Sequence, residues 1–181
     1  VLKQKVFELS ISAWNQYTES LPNVAAAWFA TAKRLGSNIA ITDSSGTALS
    51  HRRVAAGVLF VSTAIRKECR DRNIGVLLPP SSAGAIANLA VLNCGRTVVN
   101  LNYTASPDNL RSSVDNAEIK YVITSRKFLE RLETRGISLE ALASVVSFIY
   151  LEEVMAAPSN TAKFLIMMLI TVLPHSVLLR F

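Results

Sequence analysis

Two apolar rhythms take turns along this chain. Between Ser50 and Arg72, Val54, Val58, Val61 and Ile65 recur every three or four positions, with Arg52, Arg53, Arg66, Lys67, Arg70 and Arg72 flanking them. That spacing predicts a helix reaching about Arg72, with one apolar seam and Ser50 as its cap. Short apolar runs follow at Ile74–Leu78, Thr97–Leu101, Tyr121–Thr124 and Val145–Tyr150. A run that is apolar without alternation suits a strand covered on both faces. Helical patterns separate the runs, starting near Ser82, at Ser106-Pro107 and at Ser125, with a short piece at Leu139–Ala143. Pro107 stands well at a first helical position. Strands alternating with helices predict right-handed βαβ units, hence an α/β fold with a mostly parallel sheet and crossover helices.

The flanks read differently. Residues 1–35 form a helical lead-in, with Val6, Leu9, Ile11, Trp14 and Tyr17 at irregular helical spacing. A break is expected at Ser20-Leu-Pro-Asn23, and a second helix from Val24 to Leu35 closes at Gly36. Ile39–Thr42 and Ala48–Ser50 flank Asp43-Ser-Ser-Gly-Thr47, which predicts a hairpin whose turn uses Gly46 and the Asp43 side chain. His51, beside the Ser50 cap, is expected in the first turn facing solvent. Residues 36–154 make the α/β portion, and 155–181 are set apart. After a loop at 156–161, Phe164 to Leu173 is apolar all round, interrupted by Pro174 and continued by Val177, Leu178 and Leu179. Three readings stay open for it: a helix packed in the core or on a partner, an interfacial membrane contact, or a span, for which the run is about half the required length.

Charge changes this picture little. The formal net charge is +6, and the segment His51 to Arg72, with six basic and two acidic residues, supplies +4 of it. A basic helix face is a solvated surface or a site for polyanions. No aromatic residues interleave with these cations, so nucleic acid is not expected as a partner. Cys69 and Cys94 give neither a disulfide framework nor metal spacing and read as small, buried or half-buried residues. Lys3, Lys5 and Glu8 interrupt any signal-peptide pattern, so a reducing, cytoplasmic setting is the expectation.

Several stretches together resemble a known family: Gly75-Val-Leu-Leu-Pro-Pro-Ser-Ser82, Val98-Val-Asn-Leu-Asn-Tyr-Thr-Ala105, Ala117-Glu-Ile-Lys120, Thr124-Ser-Arg-Lys-Phe-Leu129 and Tyr150-Leu-Glu-Glu-Val154. From about Leu21 to Val154 the chain is similar to the opening of the synthetase domain of bacterial acyl-[acyl-carrier-protein] synthetases, which belong to the adenylate-forming superfamily. Such a domain is often fused behind a 2-acylglycerophosphoethanolamine acyltransferase, and Val1 to Tyr17 resembles the tail of that upstream domain. The resemblance implies ATP and Mg²⁺ as cofactors of the full-length enzyme. It also implies fatty acid, acyl carrier protein and lysophospholipid as partners, and a place at the cytoplasmic face of the inner membrane.

Such enzymes hold the ATP phosphates with a Ser/Thr/Gly-rich loop followed by Gly-x-Pro-Lys. Ser44-Ser-Gly-Thr47 tempts that reading, but Ala48-Leu-Ser-His51 follows it, with neither the proline nor the lysine. The chain is therefore expected to be the incomplete N-terminal portion of an adenylate-forming domain, binding no cofactor by itself and inactive alone. The rival reading is a small membrane-associated binding protein. No Gly-x-Gly-x-x-Gly, Walker loop or His-x4-Asp pair is present. No catalytic residue is carried over. Asn102 and Tyr103, at the end of a strand, are the candidate substrate-binding residues, because ligands gather beyond the carboxyl ends of parallel strands. The alternative for them is a loop held by the Asn side chain with Tyr packed against it.

Overall fold

The computed structural model describes residues 2–19, 23–137 and 139–178. The expected break at Ser20, Leu21 and Pro22 lies outside the described residues, as does Leu179. The chain opens with α1 (Leu2–Glu19) and α2 (Val24–Leu35), the latter capped by the Asn23 side chain and ended at Gly36 with φ 43°. A two-stranded antiparallel hairpin, β1 (Ile39–Thr42) and β2 (Ala48–Ser50), leads directly into α3 (His51–Glu68).

A parallel sheet follows, built from β3 (Asn73–Val76), β4 (Thr97–Asn100), β5 (Tyr121–Thr124) and β6 (Ser147–Tyr150) in the order β4-β3-β5-β6. The connections carry α4 (Ser82–Asn93), α5 (Pro107–Asn116), α6 (Arg126–Thr134) and α7 (Glu140–Ala143). After β6 come α8 (Leu151–Ala156), α9 (Asn160–Val172) and α10 (His175–Leu178). Side-chain caps account for most helix starts: the hydroxyls of Ser50, Ser81, Ser106, Ser125 and Ser159 each accept a backbone N–H of the turn they precede. The fold is thus α/β with a parallel four-stranded sheet, as the alternating pattern implies.

Because strand side chains alternate, the sheet divides its apolar residues between two cores. Ile74, Val76, Ile123 and Ile149 face one cluster, shared with α2, α3, α4 and α9. Leu101, Val122 and Val146 face the other, with Leu110 and Val114 of α5, Leu132 of α6 and Leu142 of α7. The predicted seam of α3 is fully buried: Val54, Val58, Val61 and Ile65 have no exposed surface. Gly57 allows the close approach of α4, since a Cβ there would stand 3.0 Å from Ile86 Cδ1.

Two expectations need correction. His51 does not face solvent: it is buried at 7% exposure, its ring stacked on Trp28 with centroids 5.2 Å apart. The edge of α2 supplies that indole, and no local spacing announces it. The basic helix also stops at Glu68, not near Arg72, because Cys69 turns extended at φ −110°, ψ 134°. The Arg96 guanidinium then donates to the carbonyls of Cys69 and Asp71, holding the connection open.

The C-terminal apolar run forms the greater part of α9, whose helix starts at Asn160, before the apolar run itself. Ile170 and Leu178 are buried in the first core, and Ile166, Met167 and Leu173 pack against it. Lys33 of α2 donates to the carbonyls of Val172 and Leu173, satisfying orphan acceptors at the end of α9. The opposite side, with Phe164, Leu165, Met168 and Val172, is exposed. No helix among the described residues is long and apolar enough to cross a membrane.

Candidate functional site

In a wound parallel sheet, ligands collect where neighbouring strands send their helices to opposite faces. Here that point lies between β3, followed by α4 on the first core, and β5, followed by α6 on the second. It is tied shut at its base. Leu77 N–H donates to the Ile123 carbonyl at 2.9 Å, and the buried Thr124 hydroxyl donates to the Leu77 carbonyl at 2.8 Å.

The open space lies on the other flank of the Leu77–Ser81 loop, beyond β3 and β4. A cleft of about 510 Å³ is lined there by Val76, Leu78, Pro79, Ala85 and Leu101, with Asn88, Asn100, Asn102 and Tyr103 among its other walls. Both sequence-derived candidates therefore reach the cleft. Asn102 Oδ1 accepts from Thr104 N–H at 3.0 Å and from the Thr104 hydroxyl at 2.7 Å, closing a local turn. Tyr103 packs edge-on against Phe128, with centroids 5.1 Å apart. The loop-holding role of this pair is what the geometry displays.

Two further residues escaped sequence reasoning. Asn88 of α4 and Asn100 of β4 exchange amide hydrogen bonds, 3.0 Å one way and 2.8 Å the other, and Asn88 also donates to the Gly84 carbonyl at 2.9 Å. An amide inside an otherwise Ala-rich helix was the only available signal. Among the described residues, no Asp, Glu, Lys, Arg or His lines the cleft.

Beside it, the hairpin turn makes a contact that spans 39 residues of sequence. Asp43 Oδ1 accepts from the N–H and hydroxyl of Ser45, at 3.0 and 2.5 Å, while Oδ2 accepts from the N–H and hydroxyl of Ser82, at 3.2 and 2.6 Å. Hydrogen bonds from Ser45 and then Ser82 hold the Asp43 carboxyl well below the usual carboxylate range. Ser44-Ser-Gly-Thr47 is therefore a turn that presents an anion to the start of α4, where a phosphate would otherwise be attracted. Gly46 takes φ 80° within it.

At the opposite end of the same edge, charge is plentiful but internally matched. Arg126 pairs with Glu153 and lies 3.8 Å above the Tyr150 ring. Burial opposes the charged form of Glu152, yet hydrogen bonds from the Ser125 hydroxyl and nearby backbone N–H groups keep its carboxyl below the ordinary range. Elsewhere, burial pushes the Cys69 thiol up to about 11 and raises Cys94 as well, so neither is an activated nucleophile. Among the described residues no three His, Cys, Asp or Glu side chains gather as a metal site. The described residues around the cleft thus do not fit a Mg²⁺–triphosphate group: among them there is neither a cation nor a free helix N-terminus.

With this geometry in view, comparison with known proteins is informative. Residues 28–164 match the family described as AMP-binding enzyme. Over 95 residues, 52% of this chain, the sequence is 34% identical to the nonribosomal peptide synthetase vlms of a Lecanicillium species, and that stretch is 1% of the synthetase. The fold superposes on the nonribosomal peptide synthetase FmoA3, in its α-methyl-L-serine-AMP-bound form, with a TM-score of 0.64 at 15% identity, covering 78% of this chain and 15% of that one. It superposes on a benzoate CoA ligase from Burkholderia xenovorans LB400 with a TM-score of 0.63 at 21% identity, covering 77% and 29%. The chain therefore spans less than a third of each of these proteins.

Proposed function

The chain belongs to the AMP-binding enzyme family, and we propose that it supplies the first α/β portion of a ligase that activates a carboxylic acid as its adenylate. In this reading a fatty-acid carboxylate attacks the α-phosphate of ATP on the whole enzyme, releasing pyrophosphate, and the thiol of acyl carrier protein then takes the acyl group as a thioester, releasing AMP and the thiol proton. Onward transfer to a lysophospholipid belongs to the same proposal. The step depends on positioning the carboxylate in line and on neutralising phosphate charge. ATP and Mg²⁺ would be the cofactors of that whole enzyme.

The observation that carries the reading is the uncharged cleft at the carboxyl edge of a family sheet, with Asp43 already at the neighbouring helix start. These residues position a scaffold and present Asn102 and Tyr103 to the cleft, while charge neutralisation falls to segments outside this sequence. Pyrophosphate exchange into ATP, with a long-chain fatty acid present, tests it. The 181-residue chain should give no exchange above a no-protein blank, and measurable exchange would overturn the assignment of charge neutralisation to other segments.

The exposed row Phe164, Leu165, Met168 and Val172 favours a second role, contact with a membrane surface through residues 164–181. Vesicle flotation should weaken when Phe164 and Met168 are both replaced by Ser. Unchanged flotation would remove this role without touching the first.

A further inference from the structure

We propose that the outer edge of β6 is a self-association surface, on which β6 of a second copy of this chain pairs antiparallel across a two-fold axis. The sheet order places β6 at one end, bonded only to β5 among the described residues. Ser147 N–H donates to the Lys120 carbonyl at 2.8 Å, so Ser147 and Ile149 turn their backbone groups toward β5. Phe148 and Tyr150 turn theirs outward. The Tyr150 carbonyl serves the first turn of α8, as the carbonyl of an N-cap residue does. That leaves the N–H and carbonyl of Phe148 and the N–H of Tyr150 for another chain. A bare edge of this kind is a template for a further strand, and β6 lacks the common blocks. Its sequence, Ser-Phe-Ile-Tyr, has no proline and no charge, and its register with β5 runs without a bulge.

Beside this edge lies a groove of about 330 Å³ between α3 and α8, walled by Phe60, Ala64, Val154 and Pro158 and lined also by Lys67 and Glu153. Helix α3 ends at Glu68 and β3 begins at Asn73, so Lys67 stands toward the amino ends of the strands. Glu153 follows β6 in α8, toward their carboxyl ends. A second copy turned end for end therefore brings the partner's Glu153 to Lys67, and Glu153 to the partner's Lys67. Glu68, beside Lys67, and Arg126, paired with Glu153, meet in the same way with the signs exchanged. The edge is thus complementary to its own inverted copy, as a closed two-fold pair requires. Antiparallel pairing also keeps both α3 helices on one face of a continuous sheet, where the two grooves join. So short a strand pair belongs with interfaces under about 1,200 Å² in total, which dissociate readily. The dimer should therefore come apart on dilution.

Sedimentation equilibrium of the full chain across the micromolar range should show monomer and dimer in balance. In a mixture of isotopically labelled and unlabelled chain, filtered NOEs should join β6 of one copy to β6 of the other. Phe148→Pro, which removes an outward donor, should abolish the dimer. Lys67→Glu should weaken it about tenfold, and adding Glu153→Lys should recover most of that loss. A monomer at every concentration, or filtered NOEs that run through α1 or α9 and not through β6, would overturn the surface. So would an undiminished dimer of Phe148→Pro whose Val58 and Ile65 signals stay in place. Equal weakening by Lys67→Glu with and without Glu153→Lys would overturn the antiparallel arrangement. The NOE measurement needs no variant, so a misfolded Phe148→Pro leaves the question decidable. No acyl chemistry enters, so this result and the pyrophosphate-exchange result stand or fall separately.

Discussion

Helices α1 and α3 are each eighteen residues long and each rich in apolar residues, yet α3 buries ten of its residues and α1 none. The difference lies in the small residues. Ala55, Ala56 and Gly57 sit beside the Val54–Val58–Val61–Ile65 seam, so α4 and the sheet approach the α3 backbone closely. In α1 the apolar groups are large, with Leu2, Phe7, Leu9 and Trp14 each more than 60% exposed. Leu2, Val6, Leu9 and Tyr17 share one side at helical spacing, yet none of them is buried. Apolar spacing proposes burial, and the small residues that let a neighbour come close help decide it.

The same substitution in the two helices gives the largest expected contrast. Leu59→Ala removes a side chain that is 2% exposed and should cost about 2–5 kcal/mol of unfolding free energy. Leu9→Ala, at a position 65% exposed, should stay within about 0.5 kcal/mol. Denaturant titrations of the two variants check this, and equal losses would break the comparison. Next in size, Gly57→Val drives a branched side chain against Ile86, whose Cδ1 and Cγ2 would stand 3.0 and 3.3 Å from the new Cβ. Overpacking of that kind costs about 1–3 kcal/mol. Combining it with Ile86→Ala should recover part of the loss, a recovery measurable as a double-mutant cycle.

The sequence carried much of this architecture because local chemistry set it. Ser106-Pro107 starts α5, Ser125 starts α6, and Tyr121–Thr124 is a strand with the bounds its apolar run implies. What escaped depends on partners distant in sequence. The early end of α3 at Glu68 is held by Arg96, and the burial of His51 by Trp28. The cleft was half legible: Asn102 and Tyr103 follow from strand-end logic, whereas Asn88 and Asn100 acquire meaning only when α4 and β4 lie side by side. Asp43 was read as a turn residue, which it is, but its second oxygen serves Ser82. No spacing rule anticipates that contact.

A smaller effect is expected where α9 meets α2. Lys33→Met removes the donor to the Val172 and Leu173 carbonyls but keeps the aliphatic stem. The loss should be about 0.3–1 kcal/mol, the scale of a cation at a helix C-terminus. Hydrogen exchange should localise it to the last turn of α9, with α3 amides unchanged. Faster exchange along α3 would mean that α9, not the small-residue seam, holds that helix in place.

The smallest effect on α3 is expected from Asp43, and it sharpens the comparison through pH. The hairpin delivers the chain straight from β2 into α3, and Asp43 pins that hairpin to α4. The carboxyl is depressed in the folded protein relative to its ordinary value of about 3.9. Its stabilising contribution is therefore complete above that value and is lost progressively as pH falls below it toward the lowered folded value. If packing positions α3, acidification below about pH 4 should release the Ser82 amide first, seen as a chemical-shift change with faster exchange, while Val58 and Ile65 signals hold. Asp43→Asn should remove that acid transition at Ser82 and, by losing the carboxylate's contribution, lower the neutral-pH melting temperature while Val58 and Ile65 signals hold. Simultaneous loss of Ser82 and Ile65 protection in the unaltered protein would show that the strap, and not the seam of small residues, sets the place of α3.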